Sequence, residues 1–140
     1  MGKNRDFVTI SIARNFCTLE ISNKEFKAIE LNETLSRLSY ESGNRVNQIL
    51  DRQEAALQGI DPGDFNDDFS TAEYAKLMKK RQQIETQYQR EVDAEMARVH
   101  TAEKAIERQA TMVETSLKEL RARKETYDEF MQSIDCSYFD

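Results

Sequence analysis

Gly59-Ile60-Asp61-Pro62-Gly63-Asp64-Phe65-Asn66-Asp67-Asp68-Phe69 is the stretch that decides the fold. It holds the only proline, two of the four glycines and four aspartates of a 140-residue chain. Proline and glycine are the strongest punctuators of regular structure, so this segment reads as a loop. Ser70-Thr71-Ala72-Glu73 follows at once and has the form of a capping box. In that form Ser70 accepts from an early backbone N–H and Glu73 reaches back. On either side of the loop lie long stretches almost free of helix breakers. Gly43 is the one weak point of the first, at a cost of about 1 kcal/mol relative to Ala.

Both stretches carry a helical seam. In the second, Val92, Val99, Ile106, Val113, Leu120, Tyr127 and Ile134 recur every seven residues. Met96, Ala110, Leu117 and Met131 fall four residues after members of that series, with Glu103 and Lys124 as polar exceptions. An apolar residue every 3.5 positions is the signature of a coiled coil. Upstream, Leu77, Ile84 and Tyr88 continue the seam. The spacing Ile84–Tyr88–Val92 is a stutter that locally unwinds a supercoil. In the first stretch the seam runs Ile10, Cys17, Ile21, Ala28, Leu31, Leu35, Leu38, Ser42, Ile49 and Ala56. Arg14, Lys24, Arg45 and Arg52 fill its polar slots.

Two helices joined by a short connection lie side by side and antiparallel. The sequence therefore predicts an all-α chain, a long antiparallel coiled-coil helical hairpin forming a single domain. Arm one covers about 7–58, an acidic loop about 59–70, arm two about 71–134 and an apolar tail 135–140. At 1.5 Å per residue the arms are on the order of 75–95 Å long. A turn centred in the loop makes facing residue numbers sum to about 130. That register sets Ile10 against Leu120, Cys17 against Val113, Leu31 against Val99, Leu35 against Met96, Leu38 against Val92 and Val46 against Ile84.

Two apolar surfaces remain once this hairpin closes. Ile12, Phe16, Leu19 and Phe26 recur at helical spacing away from the seam of arm one. Residues beyond about 128 have no partner in this register, yet that overhang contains Phe130, Met131, Ile134, Tyr138 and Phe139, with Tyr127 just before it. Each such side chain is worth ~1.5–3 kcal/mol when fully buried, and exposed apolar patches mark interaction sites. Both surfaces are expected to meet another protein. The partner is a further copy in a homo-oligomer, or a heterologous helical protein if the chain is a monomeric adaptor, chaperone or stalk. A back-folded tail or a bent first arm is the plainer alternative.

Composition sets the remaining bounds. The chain is 33% charged and 39% hydrophobic, with 20 Lys+Arg against 26 Asp+Glu and a net charge of -6. No long apolar run offers a membrane span. Net acidity argues against nucleic acid, whose binding is driven by basic groups on phosphate. Phe7–Ala13 is broken by Thr9 and Ser11, so no secretory signal is read. Asp6 stands where myristoylation prefers Ser or Thr. A cytoplasmic location follows, or export without a cleaved signal.

No cofactor is expected. Cys17 and Cys136 make no metal or redox motif, and in this register they lie too far apart to be joined. Cys17 reads as a small core residue. Asp61, Asp64, Asn66, Asp67 and Asp68 concentrate oxygen ligands but lack the order of a calcium-binding loop, so they read as a solvated turn. Lys76, Lys79, Lys80 and Arg81 read as a solvated basic run. His100, the only histidine, points outward. Glu91 and Glu95 form an i, i+4 carboxylate pair of the kind an acidic exposed helix carries by chance. No nucleophile–base set or phosphate loop can be assembled, and no enzymatic activity is expected.

In outline the chain resembles two groups from bacterial flagellar and type III secretion systems. One is the small hairpin coiled coil that serves as a stalk or escort at the export gate. The other is the secreted filament or needle subunit, a helical hairpin that polymerises through its terminal arms. The likeness rests on two arms, the polar loop Gly59–Phe69, and apolar-aromatic ends at Phe7–Phe26 and Tyr127–Phe139. It is a likeness of architecture without a shared motif. It implies a role in assembly or escort, with the acidic balance and second apolar stripe favouring an assembling subunit.

Overall fold

In the computed structural model the chain is an all-α helical hairpin. Helix α1 spans Gly2–Leu57 and helix α2 spans Thr71–Phe139. The structure describes residues 2–60 and 71–139, with side chains at 4–60 and 71–134. The loop aspartates, Ser70 of the expected capping box, and the side chains of Cys136, Tyr138 and Phe139 lie outside the described residues. Glu73 stands in the first turn of α2, where a carboxylate faces the positive end of the helix dipole. Neither described helix is long and apolar enough to cross a membrane.

The helices contribute to two compact units. One unites Met1–Thr34 with Ala105–Asp140, and the other is Leu35–Lys104. In the first unit the inward positions of α1 are Phe7, Ile10, Arg14, Cys17, Ile21, Lys24, Ala28 and Leu31. This is an unbroken 3–4 alternation that keeps one stripe facing the partner helix. Its centre is Leu31, Val113 and Leu117, with Ile21, Ala28, Ile106 and Ala110 packed against them. Cys17 is buried and free, as a small core residue. In the second unit the α1 stripe runs Leu35, Leu38, Ser42, Val46, Ile49, Gln53 and Ala56. The step Leu38–Ser42–Val46 is two fours in succession, a stutter in α1 as well. Val46 and Gln53 thus take the seam slots that the sequence assigns to Arg45 and Arg52, and both arginines are exposed.

The register differs from the expected one in both units. Arg14 pairs with Asp128, and Arg121 Nη2 donates to Glu25 Oε1 at 3.1 Å. In the second unit Arg45 reaches Glu95 and Arg52 reaches Glu91 at 3.2 Å. Facing residue numbers therefore sum to roughly 140–146 rather than 130. None of the six expected pairings stands. Leu31, for example, packs in the cluster of Val113 and Leu117 rather than against Val99. The displacement is 10–16 residues, about two heptads. It carries one apolar stripe along another without rotating either, so apolar still meets apolar.

A second correction concerns α2. Met96 is 58% exposed, and its seam slot is held by Glu95, whose side chain is only 12% exposed. Arg98 donates to that carboxylate twice, from Nη2 to Oε1 at 2.7 Å and from Nε to Oε2 at 3.0 Å. Arg45 approaches Oε1 at 3.5 Å, and the buried Ser42 adds a side-chain hydrogen bond. Counting four back from Val99 selects position 95; counting four on from Val92 selects 96. The polar choice wins because three donors converge on it. Glu91 and Glu95 are accordingly paired with arginines, not an idle pair on an exposed face.

Candidate interaction face

The new register draws three residues of one expected surface, Tyr127, Met131 and Ile134, into the hairpin, while Tyr138 and Phe139 lie outside the residues whose side chains are described. With Arg14 against Asp128, α2 has α1 alongside it in the region the sequence assigns to the start of an overhang. Tyr127, Met131 and Ile134 are half-buried seam residues, spaced four and three apart like the rest of the stripe. Phe130 alone of the described apolar residues in this segment is well exposed, at the flank of the seam.

The other surface stands independently of register, because it lies on the side of α1 turned away from α2. Val8, Ile12, Phe16, Leu19, Phe26 and Ile29 are between 54% and 71% exposed. The sequence reading names four of them and misses Val8 and Ile29. Stepping by sevens finds Ile12, Leu19 and Phe26; the neighbouring row of sevens, which holds Val8 and Ile29, is interrupted by Asn15 and Ser22. The other positions of this stretch turned directly away from the seam are Thr9, Asn15, Ser22 and Asn23, all exposed; Thr18, Glu20, Glu25 and Lys27, also exposed, stand at its flanks beside the seam positions Cys17, Ile21, Lys24 and Ala28. The Thr9 hydroxyl donates to the Arg5 carbonyl at 2.9 Å, satisfying it within the helix.

The decisive property of this face is its charge. One residue in three of the chain is charged, yet none of these ten outward positions is. Charges stand around these ten positions: Glu20, Glu25 and Lys27 along the flanks, Arg5 before Val8, and Glu30 and Glu33 after Ile29. In the same unit the outward side of α2 carries Arg108, Lys118, Glu119, Glu125 and Glu129, all exposed. Its one large apolar outward residue is Met112. Removing a charge from water costs several kcal/mol unless it is paired. An uncharged apolar face escapes that cost, and the core of a protein interface is depleted of charge for the same reason. Apolar side chains exposed in the second unit, such as Tyr40, Leu50 and Met96, stand singly among charges, as surface residues commonly do.

The other place where polar chemistry gathers is the Glu95 cluster. The two hydrogen bonds from Arg98 hold the Glu95 carboxyl below its ordinary range, against a smaller opposing effect of burial. The charges of Arg98 and Arg45 and the Ser42 hydroxyl act in the same direction as those bonds. Arg98 is raised by the same partner. With Arg98 and Arg45 both engaged on it, this carboxylate is a structural ion pair. Among the described residues no group of three or more His, Cys, Asp or Glu is placed to hold a metal ion. His100 is exposed, as are Lys76, Lys79 and Lys80, while Arg81 lies partly in the seam and pairs with Glu85 at 3.1 Å. No protein-family model, curated protein or solved structure matches the chain.

Proposed function

We propose that this protein is a non-enzymatic structural or interaction protein, and that the outer face of α1 between Val8 and Ile29 is where it binds another polypeptide. The observation that carries this reading is that six large apolar side chains and no charge occupy the ten positions turned directly away from the seam, with the exposed charges of the stretch, Glu20, Glu25 and Lys27, confined to its flanks. Six large apolar side chains left mostly in water forgo ~1.5–3 kcal/mol each of burial. A covering helix recovers much of that. A long, narrow apolar row at helical spacing fits an α-helix as its occupant. The C-terminal residues Tyr127, Met131 and Ile134 have no part in this reading, since they close the hairpin itself. Of the two secretion-associated groups that the architecture resembles, the assembling subunit is the one this face favours over the escort.

A photo-crosslinking amino acid at Phe16 or Phe26, with Glu119 on the outer side of α2 as control, tests the reading in cells producing the full chain. The expected result is a protein adduct of defined mass from positions 16 and 26 and none from 119. An adduct pattern no different from the control would overturn it. The mass of the adduct also separates a self-assembling protein from an adaptor that takes a different partner.

A further inference from the structure

The row that forms the middle of the outer face is Arg5, Ile12, Leu19, Phe26 and Glu33, one residue every seven. It is self-complementary about Leu19. Laid antiparallel on a second copy of itself, it places Leu19 on Leu19, Ile12 on Phe26, and Arg5 on Glu33. One flanking row pairs within a residue of that centre, with Val8 opposite Ile29 and Asn15 opposite Ser22; the other sets Phe16 opposite Asn23 and Thr9 opposite Glu30. Along the middle row and the Val8 row apolar meets apolar and polar meets polar, and opposite charges meet at both ends of the middle row. A two-fold interface requires this kind of self-matching patch.

Other arrangements lack it. Moving one copy by a heptad puts Arg5 on Phe26 in one direction and Glu33 on Ile12 in the other, so a charge lands on an apolar side chain. A parallel pairing in register sets Arg5 on Arg5 and Glu33 on Glu33. Neither Arg5 nor Glu33 makes an ion pair among the described residues, so both are available to close the ends. The area is also adequate. Six side chains per copy, each more than half exposed, offer on the order of 1,000 Å² from two copies, given ~150–250 Å² for a fully buried aromatic side chain. Asn15, Ser22 and Asn23 extend this toward the ~1,200–2,000 Å² of a stable interface.

We infer that a second copy of this chain is the occupant of the face, paired antiparallel with Leu19 on the two-fold axis. This rests on the reading of the face as a binding surface and goes beyond it by naming the partner and the register.

The test uses the full chain with Cys136→Ser, which leaves only the buried Cys17. Into it are placed Leu19→Cys, Arg5→Cys or Glu33→Cys, and helix content is checked by circular dichroism. Under mild oxidation Leu19→Cys is expected to form a disulfide-linked dimer many times faster than the Cys136→Ser background. Arg5→Cys and Glu33→Cys are each expected to remain at background alone and to form a mixed dimer when combined. Background-level coupling of Leu19→Cys would overturn the inference, as would self-coupling of Arg5→Cys, which signals a parallel pair. If Leu19→Cys fails while the photo-crosslinker at Phe16 still captures a different protein, only the second-copy inference is lost. If neither captures anything, both readings are lost.

Discussion

Individual residues show where the chain tolerates change and where it does not. Gly43 lies inside α1 in ordinary helical conformation, and a Cβ added there meets nothing within 4 Å. Its replacement by alanine removes the entropy that glycine loses on folding. Gly43→Ala is expected to raise stability by about 0.5–1 kcal/mol in denaturant titration. Glu95 behaves differently. Its carboxyl is held below the ordinary value in the folded protein, so its contribution is present above the unfolded value of about 4.3. That contribution is lost as pH falls through the lower folded value. The melting temperature of the parent chain should exceed that of Glu95→Gln at pH 6–7, and the gap should narrow below about pH 4.3. A gap that is constant from pH 7 to pH 3 would remove Glu95 as a titrating contributor. The Glu95 slot is also where sequence reading fails for a plain reason. Hydrophobicity favours Met96, and only the convergence of Ser42, Arg45 and Arg98 makes the adjacent acid the better seam residue.

At the level of helices, the hairpin is legible and its register is not. Pro62 with Gly59 and Gly63 marks the division, and the seven-residue recurrence from Val99 to Ile134 marks the inward stripe of α2. Both follow from local chemistry. Register depends on how one stripe is set along the other, and stripes of the same period match at many offsets. An offset of about two heptads leaves the apolar pattern matched. What selects among offsets is the flanking charge: Arg14 with Asp128, Glu25 with Arg121, Arg52 with Glu91. Those oppositely charged residues were visible in the sequence, and searching for an offset that pairs them is the signal that locates the register. Met131 and Ile134 read as an overhang, with Tyr127 at its edge, through that one displaced offset. A cysteine pair at Leu31 and Ala110, in the Cys136→Ser chain, should form an internal disulfide readily. A pair at Leu31 and Val99 should not, because bridged Cα atoms lie within about 7 Å. The reverse outcome would restore the shorter register.

For the molecule as a whole, the exposed row of α1 is the feature that a lone hairpin leaves unexplained. Its four sequence-read residues were found correctly as outward-facing because the face opposite a stripe does not move when the stripe slides. The lack of charge along its middle emerges only once the exposed flanking residues Glu20, Glu25 and Lys27 are told apart from it. Two helices have a limited surface to bury, and small folds commonly gain stability by association. The most direct measurement is sedimentation equilibrium of the full chain across a concentration series, beside Leu19→Asp. The account predicts a reversible species of twice 16.3 kDa for the parent chain. For Leu19→Asp it predicts association weaker by on the order of a hundredfold, with helix content unchanged, because two buried leucines become two facing carboxylates. A parent chain that stays at 16.3 kDa at every concentration, or a Leu19→Asp chain that associates as the parent does, would contradict it.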